Sequence, residues 1–346
     1  MAPQPKRPTI GDIARKAGVS KGAVSFALNG RPGVSAETRQ RILAIAGELN
    51  WRPNSAAQAL GQSRAGVIGF VLNRPARILG TETFFPELLS GIELGLSPSR
   101  TALHMLVVSD LDEELDTYRE WWHAHRVDGV IVIDPRMNDP RSKLLVELGM
   151  PAVQIGSHPS RETEIPTIWV DDIEAANTLF GYIAALGHRR IAHVAGTAEF
   201  EHTALRMATL KDCAEQFDLE WVRSAATDYS ADAAASETRT LLAGKSRPTA
   251  IVYDSDVMAL AGLRVADEMG VAVPGELSIA SFDDSLMVRL VRPSITTLTR
   301  DTVELGELAA RALLDQLDSD EPVPSMAGPV PKLSVRESTA PPHGRS

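Results

Sequence analysis

Residues 9–29 read TIGDIARKAGVSKGAVSFALN and predict two short helices joined by a tight turn. Thr9 and Asp12 have the spacing of a capping box, which starts a helix. Gly18 relaxes the backbone at the turn, and Ser20 can cap the second helix. The outer face of that second helix shows Lys21, Gly22, Ser25 and Phe26. This arrangement is typical of a helix-turn-helix, whose second helix enters the major groove of DNA with its N-terminal part.

The residues that follow are basic and continue the helical pattern. Ser35 begins a third predicted helix, which turns Arg39 and Arg41 outward. Residues 1–64 contain ten Lys and Arg but only three Asp and Glu, a net charge of +7. The whole chain carries −10, so the remainder carries −17. A basic head on an acidic body favours a DNA-binding module joined to a domain that does not bind DNA, although a helical hairpin without nucleic acid would share the helix pattern.

Length and composition limit the class of protein. At 346 residues the chain is too long for one compact domain. Its single cysteine, Cys213, allows no internal disulfide, which fits a reducing cytosol. The first residues have no signal-peptide core, and no apolar run approaches the ~20 residues of a membrane span. We therefore expect a cytoplasmic protein with no membrane partner.

From Val67 onward, apolar strand patterns alternate with helical ones. VIGFVL at 67–72 is a run of the buried-strand type, a helical pattern covers 88–96, and VDGVIVI at 127–133 is another strand. Such alternation predicts an α/β fold of doubly wound parallel sheets with helices on both faces. Ligands of such sheets bind beyond the carboxyl ends of the strands, so a cleft between two halves is the expected ligand site.

Residues 50–65 link the head to the body. Pro53 ends the preceding pattern, and Asn54 can cap a further short helix. An isolated helix of one or two turns is marginal in water, because nucleation costs more than a few hydrogen bonds return. Off DNA we therefore expect a disordered linker.

The residues of the head carry a specific resemblance. The pattern T-I-x-D-I-A-x-x-A-G-V-S-x-x-x-V-S-x-x-L-N at 9–29 resembles the DNA-binding head of the LacI/GalR family of bacterial transcriptional regulators. In the body, VDDxxAA at 170–176, LGHRRIA at 186–192 and SFDD at 281–284 fit the same family. The resemblance implies a regulator that represses transcription, binds a near-palindromic operator as a homodimer and needs no cofactor.

The family resemblance also implies the domain organisation. A three-helix head and a hinge helix would precede a two-lobed body similar to periplasmic sugar-binding proteins. The predicted boundaries are 1–49 for the helix-turn-helix head, 50–65 for the hinge helix or linker, 66–340 for the effector-binding and dimerisation domain, and 341–346 for the tail. Within the body, the first lobe would contain 66–164 and 295–318, and the second 165–294 and 319–340.

The DNA contacts expected from the resemblance lie on the head and the hinge. Lys21 can donate to guanine, and Phe26 can touch a thymine methyl. On the operator the hinge would fold and insert Leu60 into the minor groove, which kinks the duplex. The full set of expected DNA-contacting residues is Thr9, Ser20, Lys21, Gly22, Ser25, Phe26, Asn29, Ser35, Arg39, Ala57 and Leu60.

A small-molecule effector is expected in the cleft between the lobes. The resemblance favours a sugar, with a purine or another polar metabolite as the alternative. Asp283, at a strand end, would accept hydrogen bonds from the effector, and the planar fork of Arg206 would grip it. Taken alone, this Arg is a surface charge and the aromatic residues are core packing. The expected effector-binding residues are Phe84, Phe85, Asp134, Arg206, Tyr229, Ser255 and Asp283.

An enzyme on the same body is the competing class. His188 and His193 do not have the spacing of a helical metal pair, and Cys213 has no His nearby with a clear role. The Gly-x-Ser-x-Gly pattern of a nucleophile elbow does not occur. A hydrolase is therefore a poor second, and no metal site is expected.

Overall fold

Three helices pack around a small apolar core in the head. They are α1 (Ile10–Ala17), α2 (Lys21–Leu28) and α3 (Ala36–Glu48). Each contributes a fully buried side chain, namely Ile13, Val24 and Ile42. The computed structural model of the chain describes residues 8–28, 30–51, 64–75, 79–159, 165–319 and 321–342. Residues 1–65 and 66–346 form separate compact units, the head and the body.

The caps and the turn of the head follow the predicted chemistry. Thr9 Oγ1 accepts a hydrogen bond from the Asp12 amide at 3.3 Å, and Asp12 Oδ2 accepts one from the Thr9 amide at 2.9 Å. Gly18 has φ of 67°, a left-handed conformation that a side chain would strain. Ser20 Oγ accepts a hydrogen bond from the Ala23 amide at 3.1 Å. The helix-turn-helix prediction is therefore confirmed.

The body alternates strands with helices. Its strands are β1 (Val67–Leu72), β2 (Ala102–Val107), β3 (Gly129–Val132), β4 (Ala152–Gly156), β5 (Thr167–Trp169), β6 (Arg190–Ala195), β7 (Trp221–Ala226), β8 (Ala250–Tyr253), β9 (Ser278–Ser281), β10 (Thr296–Thr299), β11 (Met326–Ala327) and β12 (Lys332–Ser334). Its helices are α4 (Phe84–Leu96), α5 (Leu111–His123), α6 (Pro140–Leu148), α7 (Asp172–Ala185), α8 (Glu201–Gln216), α9 (Ala231–Ala243), α10 (Asp256–Glu268), α11 (Leu286–Leu290) and α12 (Thr302–Asp318).

The strands form two sheets, one in each lobe. The first sheet has the order β11-β5-β4-β3-β1-β2, and its strand pairs are parallel. The second has the order β12-β10-β9-β8-β6-β7, and only the edge pair β10–β12 of these named strands is antiparallel. The two-lobed α/β prediction is confirmed. Among the described residues, no helix is both long enough and apolar enough to cross a membrane.

The lobe boundaries differ from those expected at three strands. β5 pairs with β4 and β11 pairs with β5, so both belong to the first sheet rather than the second. β10 pairs with β9 and belongs to the second sheet, although residues 295–318 were assigned to the first lobe. Each strand belongs to the lobe of the strand with which it pairs, because a short strand needs a neighbour for its backbone hydrogen bonds. The chain therefore changes lobe just after β5, just after β10 and again after β11.

Helix α12 is held in the first lobe by a close contact with α4. A Cβ atom on Gly91 of α4 would lie 2.0 Å from the carbonyl oxygen of Val303, and one on Gly306 of α12 would lie 2.3 Å from that of Leu88. The two helix backbones touch because neither position carries a side chain. This contact fixes the N-terminus of α4, which bears Phe84 and Phe85, relative to the segment that connects β10 to α12.

Candidate functional site

A cavity lies between the two lobes at the carboxyl ends of their strands. Its free volume is about 620 Å³, including the space open to solvent at its mouth. Loops from both lobes meet beside it, because the Glu201 amide donates to the Pro135 carbonyl at 2.8 Å and the Met137 amide donates to the Glu199 carbonyl at 3.3 Å. The wall is therefore assembled from side chains of both lobes.

Arg206 is the most enclosed cation of the cavity. It lies in α8 and is 4% exposed. Its Nη2 donates to Asp172 at 3.0 Å and its Nη1 donates to Asp254 at 3.0 Å. The guanidinium also stacks on Phe282, 4.2 Å from the ring centroid. Burial opposes ionisation of Asp254, but contacts with His193 and Arg206 outweigh it and hold the pKa of this carboxyl below its usual range.

Arg74 connects the two lobes. It follows β1, and its Nε donates to Asp134 of the first lobe at 2.8 Å. Its guanidinium carbon lies 4.4 Å from the ring centroid of Phe200 and 4.3 Å from that of Tyr229, both in the second lobe. Burial works against the Asp134 charge, but Arg74 reverses the effect, so the pKa of Asp134 is lowered. Arg74 is thus held by its ion pair with Asp134 and by contacts with the rings of Phe200 and Tyr229.

Tyr229 depends on a glycine for its position. A Cβ atom on Gly196 would lie 1.9 Å from the Tyr229 ring, so the ring fits only because Gly196 has no side chain. The Tyr229 backbone itself has φ of 65°. The Tyr229 hydroxyl is 2.7 Å from His202 Nε2 and 3.2 Å from Thr203 Oγ1. Burial, together with the charge of Arg206, lowers the pKa of His202, which favours the neutral imidazole.

Asp283 and Arg300 form an ion pair in the wall of the cavity. Asp283 follows β9, and Arg300 lies in the segment between β10 and α12. The Arg300 guanidinium carbon is also 5.3 Å from the ring centroid of Phe84. Asp283, Arg300 and Phe84 therefore connect the end of β9 in the second lobe to the start of α4 in the first.

Glu82 is a buried carboxyl group in the wall. It lies just before α4 and is 6% exposed. Burial raises its pKa to about 8, an effect that Arg74 reduces and that Asp283, Asp134 and Asp256 increase. Within the described part of the chain, Glu82 Oε1 has no hydrogen-bond partner.

Most of the predicted effector residues reach the cavity. Its wall includes Phe84, Phe85, Asp134, Arg206, Tyr229 and Asp283. Ser255 does not belong to the described wall. Its hydroxyl accepts a hydrogen bond from the Met258 amide at 3.4 Å and so caps α10. Whether these residues bind an effector remains a prediction.

Sequence reasoning missed several other residues of the wall, namely Arg74, Glu82, Asp172, His202, Asp254 and Arg300. Asp254 directly follows β8 and Arg74 lies two residues after β1, and polar residues at strand ends were the available signal. Asp172 belongs to the VDD motif at 170–172. Glu82 and Arg300 carried no local signal, since their positions depend on contacts between distant segments.

The outer face of α2 presents the residues predicted to read DNA. Lys21 and Gly22 are exposed, Ser25 is half-buried and Phe26 is 41% exposed. The Lys21 side chain packs against α1 at Gly11. A Cβ atom on Gly11 would lie only 3.3 Å from Lys21 Cε, so the glycine leaves room for the lysine side chain. The residues predicted to contact bases are thus accessible on α2, and their contact with DNA stays a prediction.

The other predicted DNA contacts have different surroundings. Thr9, Ser20 and Ser35 use their hydroxyl oxygens as helix caps, and Ser35 accepts from the Thr38 amide at 3.3 Å. Arg39 donates to the carbonyl oxygen of Arg31 at 2.6 Å. The remaining three predicted contacts, which are Asn29, Ala57 and Leu60, lie outside the described residues, as does most of the predicted hinge.

Two family models match the chain. The model of "Bacterial regulatory proteins, lacI family" matches residues 9–54, and that of the "Periplasmic binding protein-like domain" matches residues 180–339. A relative, the HTH-type transcriptional regulator CelR of Thermobifida fusca, is 28% identical over 96% of this chain and 98% of its own length.

Solved structures agree with these matches. A LacI family transcriptional regulator from Bifidobacterium animalis is 35% identical, with a TM-score of 0.73 over 81% of this chain and 99% of that one. The lac repressor dimer bound to operator and the anti-inducer ONPF is 25% identical, with a TM-score of 0.83 over 97% and 100%. The CelR–cellobiose complex is 27% identical, with a TM-score of 0.71 over 96% and 100%.

The relatives and structures named above are regulators of transcription, and a hydrolase finds no support among them. The head has the fold and the exposed second helix of a helix-turn-helix, and the body has two lobes with a cavity between them. The chain therefore belongs to the LacI family of bacterial transcriptional regulators and is a DNA-binding regulator, not an enzyme.

Proposed function

We propose that this regulator is a repressor that binds a near-palindromic operator as a homodimer and is controlled by a sugar in the cavity. The observation that carries the proposal is the convergence of polar and aromatic side chains from both lobes on one cavity. A ligand that touches both lobes binds one arrangement of the lobes more tightly than another. This difference in affinity is the condition for shifting the equilibrium between the arrangements.

The chemistry of the wall suits a hydroxyl-rich ligand. Carboxylate oxygens such as those of Asp283 accept hydrogen bonds from hydroxyl groups, and the guanidinium of Arg206 donates to ring or hydroxyl oxygens. The ring of Phe84 supplies an apolar face on which a pyranose can pack. The similar regulator CelR has been solved with cellobiose, so a disaccharide is a reasonable first probe.

Ligand binding in the cavity is coupled to DNA binding through the first lobe. The polypeptide enters that lobe at β1, directly after the segment that follows the head. When one lobe moves relative to the other, the positions from which the two heads of a dimer can reach one operator change. Coupling between the two sites is reciprocal, and typical values are ~1–3 kcal/mol.

Gel-shift titration of full-length protein on operator fragments, selected from a random pool, tests the proposal. We expect nanomolar-range binding to a near-palindromic site and a change in affinity with the correct sugar. Asp283→Ala should bind the operator nearly as well as wild type but lose the response to sugar, because it removes a hydrogen-bonding carboxylate from the wall and leaves Arg300 without its ion-pair partner.

Asp283→Asn is the matched control, since it keeps the shape of the side chain. Calorimetry with the cognate sugar completes the test. An Asp283→Ala protein that binds this sugar as tightly as wild type would show that the effector site lies elsewhere. A wild-type protein that selects no DNA sequence would contradict the regulatory role itself.

A further inference from the structure

Two rings of the second lobe, Phe200 and Tyr229, form an aromatic slot that contains the side chain of Arg74. Phe200 lies between β6 and α8, and Tyr229 lies between β7 and α9. The guanidinium carbon of Arg74 lies over both rings, 4.4 Å from the centroid of Phe200 and 4.3 Å from that of Tyr229. Arg74, Phe200 and Tyr229 are 7%, 3% and 5% exposed, so little water reaches this contact. A cation over an aromatic face gains most where water is excluded.

The aromatic slot is built by residues of the second lobe. The Tyr229 backbone is left-handed, with φ of 65°, which is uncommon for a residue other than glycine. The Tyr229 ring packs against Gly196, and its hydroxyl is 2.7 Å from His202 Nε2. The Phe200 ring stacks on the same imidazole at 5.7 Å between ring centroids. Both rings are therefore positioned by contacts other than those with Arg74.

Arg74 enters the aromatic slot from the first lobe. It lies two residues after β1, and its Nε donates to Asp134, just after β3, at 2.8 Å. The charge of Arg74 is thus balanced within its own lobe, while its guanidinium lies on rings of the other. Arginine suits both contacts, because a guanidinium donates hydrogen bonds in its plane and stacks through its faces.

We propose that Phe200 and Tyr229 form a binding site for a planar cation, and that Arg74 is its built-in occupant, which holds the two lobes together before an effector binds. The proposal rests on the repressor function proposed above only for its consequence on DNA binding. Separation of the lobes would withdraw the guanidinium from the aromatic slot and expose both rings to water. The contact therefore favours the arrangement in which the lobes are together, and an effector that favours another arrangement has to overcome it.

Chemical complementation of Arg74→Ala tests the aromatic slot. The substitution removes the atoms of an N-ethylguanidinium ion, so this cation is the probe. Because a ligand of the native state raises stability by mass action, about 20 mM of the probe should raise the Tm of full-length Arg74→Ala by ~1–2 °C or more. Wild type, in which Arg74 occupies the aromatic slot, should gain nothing. Arg223→Ala, which loses an exposed guanidinium, is the matched control and should also gain nothing.

A second cation tests the shape of the site. n-Propylammonium carries the same charge as the probe but has no flat face to lie on the two rings, so it should give a smaller gain in Tm. An equal gain with the two cations would overturn the preference for a planar cation. A gain in Arg74→Ala no larger than that in Arg223→Ala would overturn the site itself.

Amide hydrogen exchange tests whether Arg74 holds the lobes together. The Met137 amide donates to the Glu199 carbonyl and the Glu201 amide donates to the Pro135 carbonyl, so both hydrogen bonds cross between the lobes. These amides exchange when the lobes separate. Arg74→Ala should therefore accelerate exchange at both amides by about tenfold or more, and Arg223→Ala should not. Unchanged exchange at Met137 and Glu201 would overturn the role of Arg74 between the lobes.

Amides inside each lobe separate a local effect from a general loss of stability. The Val130 amide donates to Pro151 in the first lobe, and the Phe282 amide donates to Tyr253 in the second. Equal acceleration at these two amides would mean that the variant loosens the whole body, which would also overturn the proposal.

Arg74→Lys keeps the test decisive if the alanine variant does not fold. The lysine keeps a positive charge beside Asp134 but cannot lie flat on two rings, so exchange at Met137 and Glu201 should still be about threefold faster or more. Exchange at the wild-type rate in this variant would show that stacking on the rings does not hold the lobes.

Operator binding, measured without any small molecule, separates the two proposals. If the arrangement of the lobes controls DNA binding, Arg74→Ala should change operator affinity by about threefold or more relative to Arg223→Ala. Unchanged affinity together with accelerated exchange would contradict control of DNA binding by the lobes and would still support Arg74 as the built-in occupant.

Discussion

The head and the cavity both contain several basic side chains, but the two regions surround them differently. In residues 1–64, Lys and Arg outnumber Asp and Glu by ten to three. In the cavity, Arg74, Arg206 and Arg300 are enclosed and each is paired with aspartate. An excess of exposed positive charge attracts a polyanion and gives salt-dependent binding. A buried and compensated arginine cannot do so, and its function is to hold carboxylates and direct its remaining N–H groups.

Removing a cavity arginine should therefore cost more stability than removing an exposed one. Arg206→Ala leaves Asp172 and Asp254 buried beside each other without their shared cation, so we expect the free energy of unfolding of the body to fall by about 3–5 kcal/mol. Urea denaturation followed by tryptophan fluorescence measures it. Arg223→Ala, which breaks an exposed pair with Glu237, is the control and should cost ~0–1 kcal/mol. Equal losses in the two variants would show that burial does not distinguish these pairs.

The buried acid of the cavity should make stability depend on pH in the direction opposite to a salt-bridged carboxylate. Glu82 has a pKa raised to about 8 in the folded protein against 4.5 as its ordinary value. Between these values the unfolded chain has lost the proton that the folded protein keeps, so stability falls as pH rises from about 4.5 to 8.

Glu82→Gln removes this penalty, so it should be more stable than wild type at pH 8 by on the order of 3 kcal/mol, and equal to it near pH 4.5. Measurements of Tm for both proteins from about pH 4.5 to about pH 8 test this difference in stability. Parallel Tm profiles for the two proteins would mean that Glu82 titrates in the folded state as it does in water.

Substitution of an exposed cation of the head should change DNA binding rather than the stability of the protein. Lys21 lies on the outer face of α2, so Lys21→Ala should change the preference among operator variants by ~1–3 kcal/mol at one base pair and leave the unfolding transition unchanged. Competition gel shifts with single-base operator variants measure this preference. A uniform loss on all sequences, random DNA included, would indicate that Lys21 contacts phosphate only.

The smallest effect is expected where an exposed head cation already has a partner. Lys16 of α1 is 2.7 Å from Glu48 of α3, and both side chains are largely exposed. Lys16→Ala should lower stability by ~0–1 kcal/mol, and the loss should shrink in high salt because exposed pairs are screened. Hydrogen exchange of the α3 amides reports the change. A loss as large as that of Arg206→Ala would contradict the distinction between the two regions.

The comparison also separates what the sequence predicted well from what it did not. The head depends on local signals: a capping box at Thr9, a left-handed glycine at position 18 and helical spacing of apolar residues. Such signals act within a few residues, so they can be read from the chain directly. The alternation of strands and helices in the body likewise predicted two parallel sheets.

The cavity depends on contacts between distant segments, and there prediction was partial. Arg206 and Asp283 were found through resemblance, and both lie in the wall. Ser255 is not part of the described wall, because a strand-end serine can equally cap the next helix, as it does for α10. β5 and β10 were assigned to the wrong lobes because pairing of short strands is decided by neighbours far along the chain. Glu82 and Arg300 were missed because contacts between distant segments, rather than a local signal, decide their positions in the wall.

The contact between α4 and α12 makes the sensitivity of the cavity adjustable from outside it. Gly91 and Gly306 allow the helix backbones to touch, and Arg300 lies only two residues before α12 begins. A single methyl group at Gly91 would force the helices apart, and this would change the distance between Phe84 at the start of α4 and Arg300 just before α12. Evolution or design could thus retune the effector concentration at which the regulator responds by altering one position on α4, while every residue of the cavity wall stays the same.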